Sequence, residues 1–165
     1  MRTALQSCSG QVIVLALALV ASSCNRVNPI TVLEATDVVT GWFDAGIMED
    51  GKNKLVPSIS LKLRNKSEAA VESVQINAVF RRVGEAEMWG EHFGWAIRGD
   101  ELKPGASTDP LVMRSSLGYT GEQPRMQMLQ NKEFVDAKVE IFLKQGSQSW
   151  AKLAEFQVAR QLLTK

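Results

Sequence analysis

The pattern that most restricts this chain is alternation of polar and apolar residues with a period of two. Ser58-Ile59-Ser60-Leu61-Lys62-Leu63-Arg64 alternates without a fault, which aims Ile59, Leu61 and Leu63 at one face of a sheet. Val74, Ile76, Ala78 and Phe80 repeat the pattern, with Gln75, Asn77 and Arg81 on the solvent side. Lys138-Val139-Glu140-Ile141-Phe142-Leu143-Lys144 is a third such run. Asn65-Lys66-Ser67-Glu68 supplies a turn between the first two, so they are expected to pair antiparallel with one face wet. Weaker strands are expected over 38–47, 88–97, 107–113 and 150–160. Pro110 pushes the third of these towards an edge. One short helix is expected at 124–131, where Pro124 suits a first helical position and Met126 and Leu129 share a face. About seven strands separated by frequent turns indicate a mainly β chain forming an antiparallel sandwich. A barrel is the alternative, because alternation does not distinguish the two.

Such a domain has to be held by its core alone. The chain has 165 residues and two cysteines, Cys8 and Cys24, both near the amino terminus. The stretch after Cys24 contains no cysteine, so no internal disulfide is available, and about 140 residues are enough to bury a sizeable core. Arg2 is the only charged side chain before Cys24, so the chain from Cys24 onward has 18 basic and 18 acidic residues. A balanced charge gives no electrostatic reason to prefer nucleic acid, and no nucleic-acid partner is expected.

The amino terminus has its own plan. Arg2 is followed by the unbroken apolar run Val12–Ala21 and then Ser22-Ser23-Cys24, the charged start, apolar middle and small-residue cut of an export signal. Ten to twelve helical residues reach only about 15–18 Å, against roughly 30 Å of hydrocarbon, too short for a comfortable span. Ala21-Ser22-Ser23-Cys24 resembles the lipobox of bacterial lipoproteins, with Ala21 and Ser23 where the commonest pattern has Leu and Gly or Ala. The resemblance implies cleavage before Cys24, a diacylglyceryl group on its thiol, and a membrane partner through that lipid. Asn25 after the cysteine, in place of an Asp retention signal, points to the outer membrane if there is one. A soluble secreted protein with an incidental Cys24, and an uncleaved anchor, are the alternatives. The expected organisation is therefore a signal peptide over 1–23, a tether over 24–34 in which Pro29 prevents an early regular element, and a domain over 35–165.

Leu63-Arg64-Asn65-Lys66-Ser67, the strand Val74–Phe80 and the turn Leu102-Lys103-Pro104-Gly105 together resemble the FxLYD-like and related immunoglobulin-like domains of bacterial envelope proteins, although the Phe-x-Leu-Tyr-Asp signature is absent. This implies a single immunoglobulin-like β-sandwich and nothing about activity. Asn65-Lys66-Ser67 also matches a glycosylation acceptor, which in a bacterium is simply a turn.

Catalytic chemistry is sparse. His92 is the only histidine, so a multi-histidine metal site is excluded and no metal or cofactor is expected. No serine sits in a nucleophile elbow; Ser115-Ser116 read as turn formers. Glu87 and Glu91 are the carboxylate pair that a small envelope hydrolase would use. The most distinctive segment is Met88-Trp89-Gly90-Glu91-His92-Phe93-Gly94-Trp95. If extended, it places Trp89, Glu91, Phe93 and Trp95 on one face and Gly90, His92 and Gly94 on the other. An aromatic row beside bare backbone suits a ligand platform or protein-binding edge. Packing of Trp89, Phe93 and Trp95 into one end of the core is the favoured alternative, with His92 at an edge. Tyr119, between Gly118 and Gly121, either pins its loop or is offered to a partner. The expected function is a non-enzymatic, lipid-anchored envelope module for binding or assembly, with an envelope protein as its possible partner. Its candidate residues are Trp89, Glu91, His92, Phe93, Trp95 and Tyr119, with Cys24 as the lipidation site.

Overall fold

In the computed structural model, which describes residues 27–163, the alternating segments are strands of two sheets. The leader and Cys24 lie outside the described residues. The elements run α1 (Pro29–Val32), β1 (Leu33–Ile47), β2 (Asn53–Asn65), β3 (Val74–Arg82), β4 (Gly90–Ile97), β5 (Leu111–Arg114), β6 (Tyr119–Gly121), α2 (Arg125–Gln130), β7 (Ala137–Gln145), β8 (Ala151–Gln157) and β9 (Leu162–Leu163). The first sheet has the order β5-β2-β1-β9, with β6 also paired to β2, and the second the order β4-β3-β7-β8. Pairing is antiparallel throughout except for the two-residue parallel contact of β9 with β1. The chain is mainly β with two short helices.

Alternation selects the buried face of each strand. Ile59, Leu61 and Leu63 of β2 are fully buried, as are Val74, Ala78 and Phe80 of β3 and Val139, Ile141 and Leu143 of β7. Together with Leu33 and Trp42 of β1 and Met113 of β5 they form one cluster shared by both sheets. Burying such side chains contributes about 1.5–3 kcal/mol each, the main stabilisation open to a domain without a disulfide.

Several expectations need correction. β2 and β3 do not pair. They lie in different sheets, and their apolar faces meet across the core. Periodicity identifies the wet face of a strand and is silent about its neighbour. The 66–73 connection crosses between the sheets because Asn65 is engaged otherwise. Its buried side chain donates to the carbonyls of Ala69 (2.8 Å) and Leu102 (2.9 Å) and accepts from the amide of Ser67 (2.9 Å). With its amide bonded to Ala106 and its carbonyl to Gly105, Asn65 knits the Asn-Lys-Ser turn to the Leu-Lys-Pro-Gly turn. Both its buried position and its amide bonds leave it no room as a glycan acceptor.

Pro29 starts a helical turn where it was expected to prevent one. At the first helical position its missing N–H is no loss, and Asn28 Oδ1 accepts from the Ile30 amide at 3.3 Å. Pro29 and Leu33 are buried, and Ile30 and Val32 pack on the core, so the described chain is folded from Pro29 onward. Pro124 is the residue before α2 and not its first. The strand expected over 107–113 is the shorter β5, since Ser107 makes only an isolated bridge to Arg64. The short β6 and β9 carry too few residues to show a period.

Candidate functional site

The molecule has two unlike ends. At one, α1 leads into β1, Leu33 pairs with Asn65, and Lys66 N donates to Val32 O. The end of β4, the start of β3 and the end of β7 lie there too, because Val74 is aligned with both Ile97 and Gln145. This is where the described chain begins. The opposite end holds the β1–β2 hairpin, β6 and α2: Ile47 pairs with Asn53, Asn53 with Gly121, and Asn53 Nδ2 donates to the Gln123 carbonyl at 2.9 Å.

Four aromatic rings build the second end. Trp42 of β1 is fully buried, with Phe134 edge-on at 4.6 Å, Tyr119 at 5.7 Å and Trp89 at 6.1 Å between ring centroids. Tyr119 closes the set, 4.9 Å from Trp89 and 4.7 Å from Phe134, and its hydroxyl donates to Val135 O at 3.2 Å. Burial pushes the Tyr119 hydroxyl above its ordinary pKa, with Arg82 opposing the shift, so the group stays a neutral donor. Arg82 lies 5.6 Å above the Trp89 ring and pairs with Glu85 at 3.0 Å. Gly118 allows the docking, since a Cβ there would stand 2.1 Å from the Leu55 carbonyl oxygen. Beside this cluster is a cleft of about 510 Å³ lined by Tyr119, Gly121, Gln123, Met128, Asn131 and Phe134, with Lys52, Glu122 and Glu133 as its charged groups. Apolar floor and mixed polar groups suit a bound segment of polypeptide or a polar small molecule.

The segment 88–95 divides between core and surface. Trp89 packs at the core end with Trp42 and Tyr119, as the packing alternative expected. Phe93 and Trp95, expected by the same alternative in the core, instead face solvent with Glu91 on the outer side of β4, at 55% and 43% exposure, because Trp89 turns inward before β4 begins while they follow the strand's alternation. Trp150, just before β8, reaches across this face to meet Phe93 edge-on at 6.0 Å. Arg98 lies 5.7 Å over the Trp95 ring and Lys144 Nζ 5.7 Å over Trp150. His92 is half-buried on the inner side of β4. Of the glycines, Gly90 admits the chain's own Ser115, whose Oγ would lie 2.2 Å from a Cβ, while a Cβ on Gly94 would meet only His92 Nε2, at 4.0 Å.

The other half of that outer face is an ion-pair ladder. Glu140 receives Lys152 at 2.6 Å and Arg81 at 2.9 Å, and Glu155 receives Lys152 at 2.7 Å and Lys138 at 3.3 Å. The bonds from Lys152 and Arg81 hold the Glu140 carboxyl down to about 2.

Ser115 is buried and its hydroxyl accepts from the Leu117 amide, a turn-forming role. Glu87 is exposed in the β3–β4 connection, and Glu91 accepts from Asn77 Nδ2 at 3.1 Å; neither lines the cleft. Among the described residues no group of three His, Cys, Asp or Glu is placed to hold a metal, and no helix is long and apolar enough to cross a membrane. Sequence reasoning passed over Trp150, Lys144, Arg98 and Phe134. Trp150 and Phe93 are separated in sequence and meet only because side chains lean over the two strands between them.

No family model matches the chain, and no curated protein matches it. Among solved structures it is similar to the X-ray structure of a Northeast Structural Genomics Consortium target, with 14% identity and a TM-score of 0.44 over 79% of this chain and 89% of that one.

Proposed function

We propose that this protein is a non-enzymatic, lipid-anchored binding or assembly module of the bacterial envelope, held at Cys24, which presents its Tyr119 cleft away from the membrane. One observation carries the reading: the described chain begins at one end of the molecule, and the 510 Å³ cleft lies at the other. A tether entering beside α1 leaves the β6–α2 end free to meet an envelope protein. The immunoglobulin-like reading of the domain is supported by strand order. β1-β2-β5 corresponds to the A-B-E sheet of such sandwiches and β4-β3-β7-β8 to C′-C-F-G, seven strands in all. The bonds of Asn65 between the two turns that carry the FxLYD-like resemblance also favour it.

The test has two steps. Mass spectrometry of the mature amino terminus is expected to find Cys24 as residue one, bearing a diacylglyceryl group. An intact Met1, or an unmodified terminus elsewhere, overturns the anchor. Cross-linking in whole cells is then expected to trap a discrete partner whose yield falls several-fold when Gln123 and Asn131 in the cleft are changed to Lys. Equal yield with both variants overturns the cleft as the binding surface.

A further inference from the structure

The outer aromatic group needs an explanation that the cleft does not supply. Phe93, Trp95 and Trp150 are all more than a third exposed on the second sheet, and each of the two tryptophans has a cation over its ring. Trp95 and Trp150 lie at the tether end: Trp95 pairs with Gln75 one residue from the Val74 terminus of β3, and Trp150 precedes the residue that pairs with Leu143. Arg98 and Lys144 are at the same end. Pro29, buried against the core, is five residues from Cys24. An extended chain reaches at most about 3.3–3.6 Å per residue, roughly 17 Å in all. With acyl chains on Cys24, α1 therefore cannot stand farther than that from the lipid attachment. Indole rings with arginine and lysine beside them are the side chains that settle at the boundary of hydrocarbon and headgroups, and basic residues near an anionic leaflet strengthen the contact.

We infer that Trp95, Trp150 and Phe93, with Arg98 and Lys144, form a second membrane contact that seats the tether end of the domain on an anionic bilayer surface. The inference rests on the anchor reading above. The acyl chains hold the protein at the membrane; the aromatic patch fixes its orientation, turning the β6–α2 cleft outward. The short tether makes the two contacts simultaneous, so the patch need not bind lipid strongly by itself.

Depth-dependent quenching tests it. The full mature chain, its amino terminus checked by mass spectrometry, is reconstituted in vesicles of phosphatidylcholine with about 30% phosphatidylglycerol, an anionic surface of the kind that attracts basic residues. Acyl chains brominated near the headgroup are the probe. Wild-type tryptophan emission is expected to be quenched and shifted to the blue. The double variant Trp95→Phe, Trp150→Phe keeps the buried Trp42 and half-buried Trp89, and is expected to lose most of the quenching. Arg98→Gln with Lys144→Gln is expected to lower quenching at least two-fold in anionic vesicles and to leave it unchanged in pure phosphatidylcholine. Unquenched wild-type emission from a chain proven to carry acylated Cys24 overturns the inference and spares the anchor. So does burial of Trp95 and Trp150 by a cross-linked protein. An unmodified terminus with no vesicle association overturns both.

Discussion

Trp42, Trp89, Tyr119 and Phe134 form a connected set of ring contacts at 4.6–6.1 Å, whereas Phe93, Trp95 and Trp150 look outward, with a cation over each of the two tryptophans. The residue types are the same; the difference is in the backbone around them. At the inner cluster, glycines let chain segments approach closely enough to enclose the rings: Gly118 against the Leu55 carbonyl, Gly90 against Ser115. On the outer face Phe93, Trp95 and Trp150 stay more than a third exposed, and no described segment closes over them. Aromatic residues become core where backbone can close over them, and surface where it does not. The comparison predicts that substitutions in the first group read out in stability and those in the second in contact with a partner.

The largest effect is expected at Trp42. It is fully buried and central to the cluster, so Trp42→Ala should cost about 3–5 kcal/mol, measured as a lower denaturant midpoint. A loss under 1 kcal/mol would break the distinction between the groups. Gly118→Ala comes next. The added methyl meets a backbone carbonyl at 2.1 Å and no rotamer change relieves it, so overpacking should cost about 2–3 kcal/mol. Gly90→Ala adds a methyl 2.2 Å from a serine hydroxyl. That side chain can rotate away at the expense of its bond to Leu117, and the cost should be about 1 kcal/mol. Equal effects of the two variants would show that crowding by backbone and by side chain are equivalent here.

The ion-pair half of the outer face sharpens the comparison by pH. Bonds from Lys152 and Arg81 depress the folded pKa of Glu140 from 4.5 to about 2. The folded state therefore favours the ionised carboxylate. Its contribution is complete above pH 4.5, declines as the pH falls below that, and is gone once the pH passes about 2. Solvent screening keeps it to about 1 kcal/mol. Glu140→Gln should be less stable than wild type by that amount at pH 7, and the two should converge below pH 2. A constant gap in urea titrations between pH 7 and pH 2 would remove ionisation as the cause.

How much of this was legible in the sequence follows from what alternation encodes. Each side chain's inward or outward direction depends on its own strand, so Ile59, Leu61, Leu63 and the apolar faces of β3 and β7 could be assigned in advance. Glu91, Phe93 and Trp95 could be assigned to one face but not to a direction: packing of Phe93 and Trp95 into the core was the favoured expectation, and both face solvent. Strand partners depend on connections, and the route of residues 66–73 between the sheets is decided by the bonds of one buried asparagine to carbonyls four and thirty-seven residues away. Trp89 was expected on the face of Trp95, but it precedes β4 and turns to the core, since alternation ends where pairing ends. The outer patch was half visible for the same reason: Phe93 and Trp95 share a strand, whereas Trp150 joins them only through a contact across the sheet.

The smallest expected effect on stability is the most informative for function. Trp95 and Trp150 are partly exposed, and their rings meet a cation each and, for Trp150, the edge of Phe93. An exposed cation–π pair is worth about 0.5–1 kcal/mol, and the part of each indole that is already in water when folded loses no burial on removal. Trp95→Ser should therefore change the unfolding free energy by no more than about 0.5–1 kcal/mol, with the near-ultraviolet signature of the Trp42 cluster intact. A larger loss would mean that the outer rings are structural after all, and the functional contrast between the two ends would fall. Near-neutral stability leaves two large apolar side chains on a sheet face where serine or threonine would fold equally well, and their presence there is then accounted for by what the face touches.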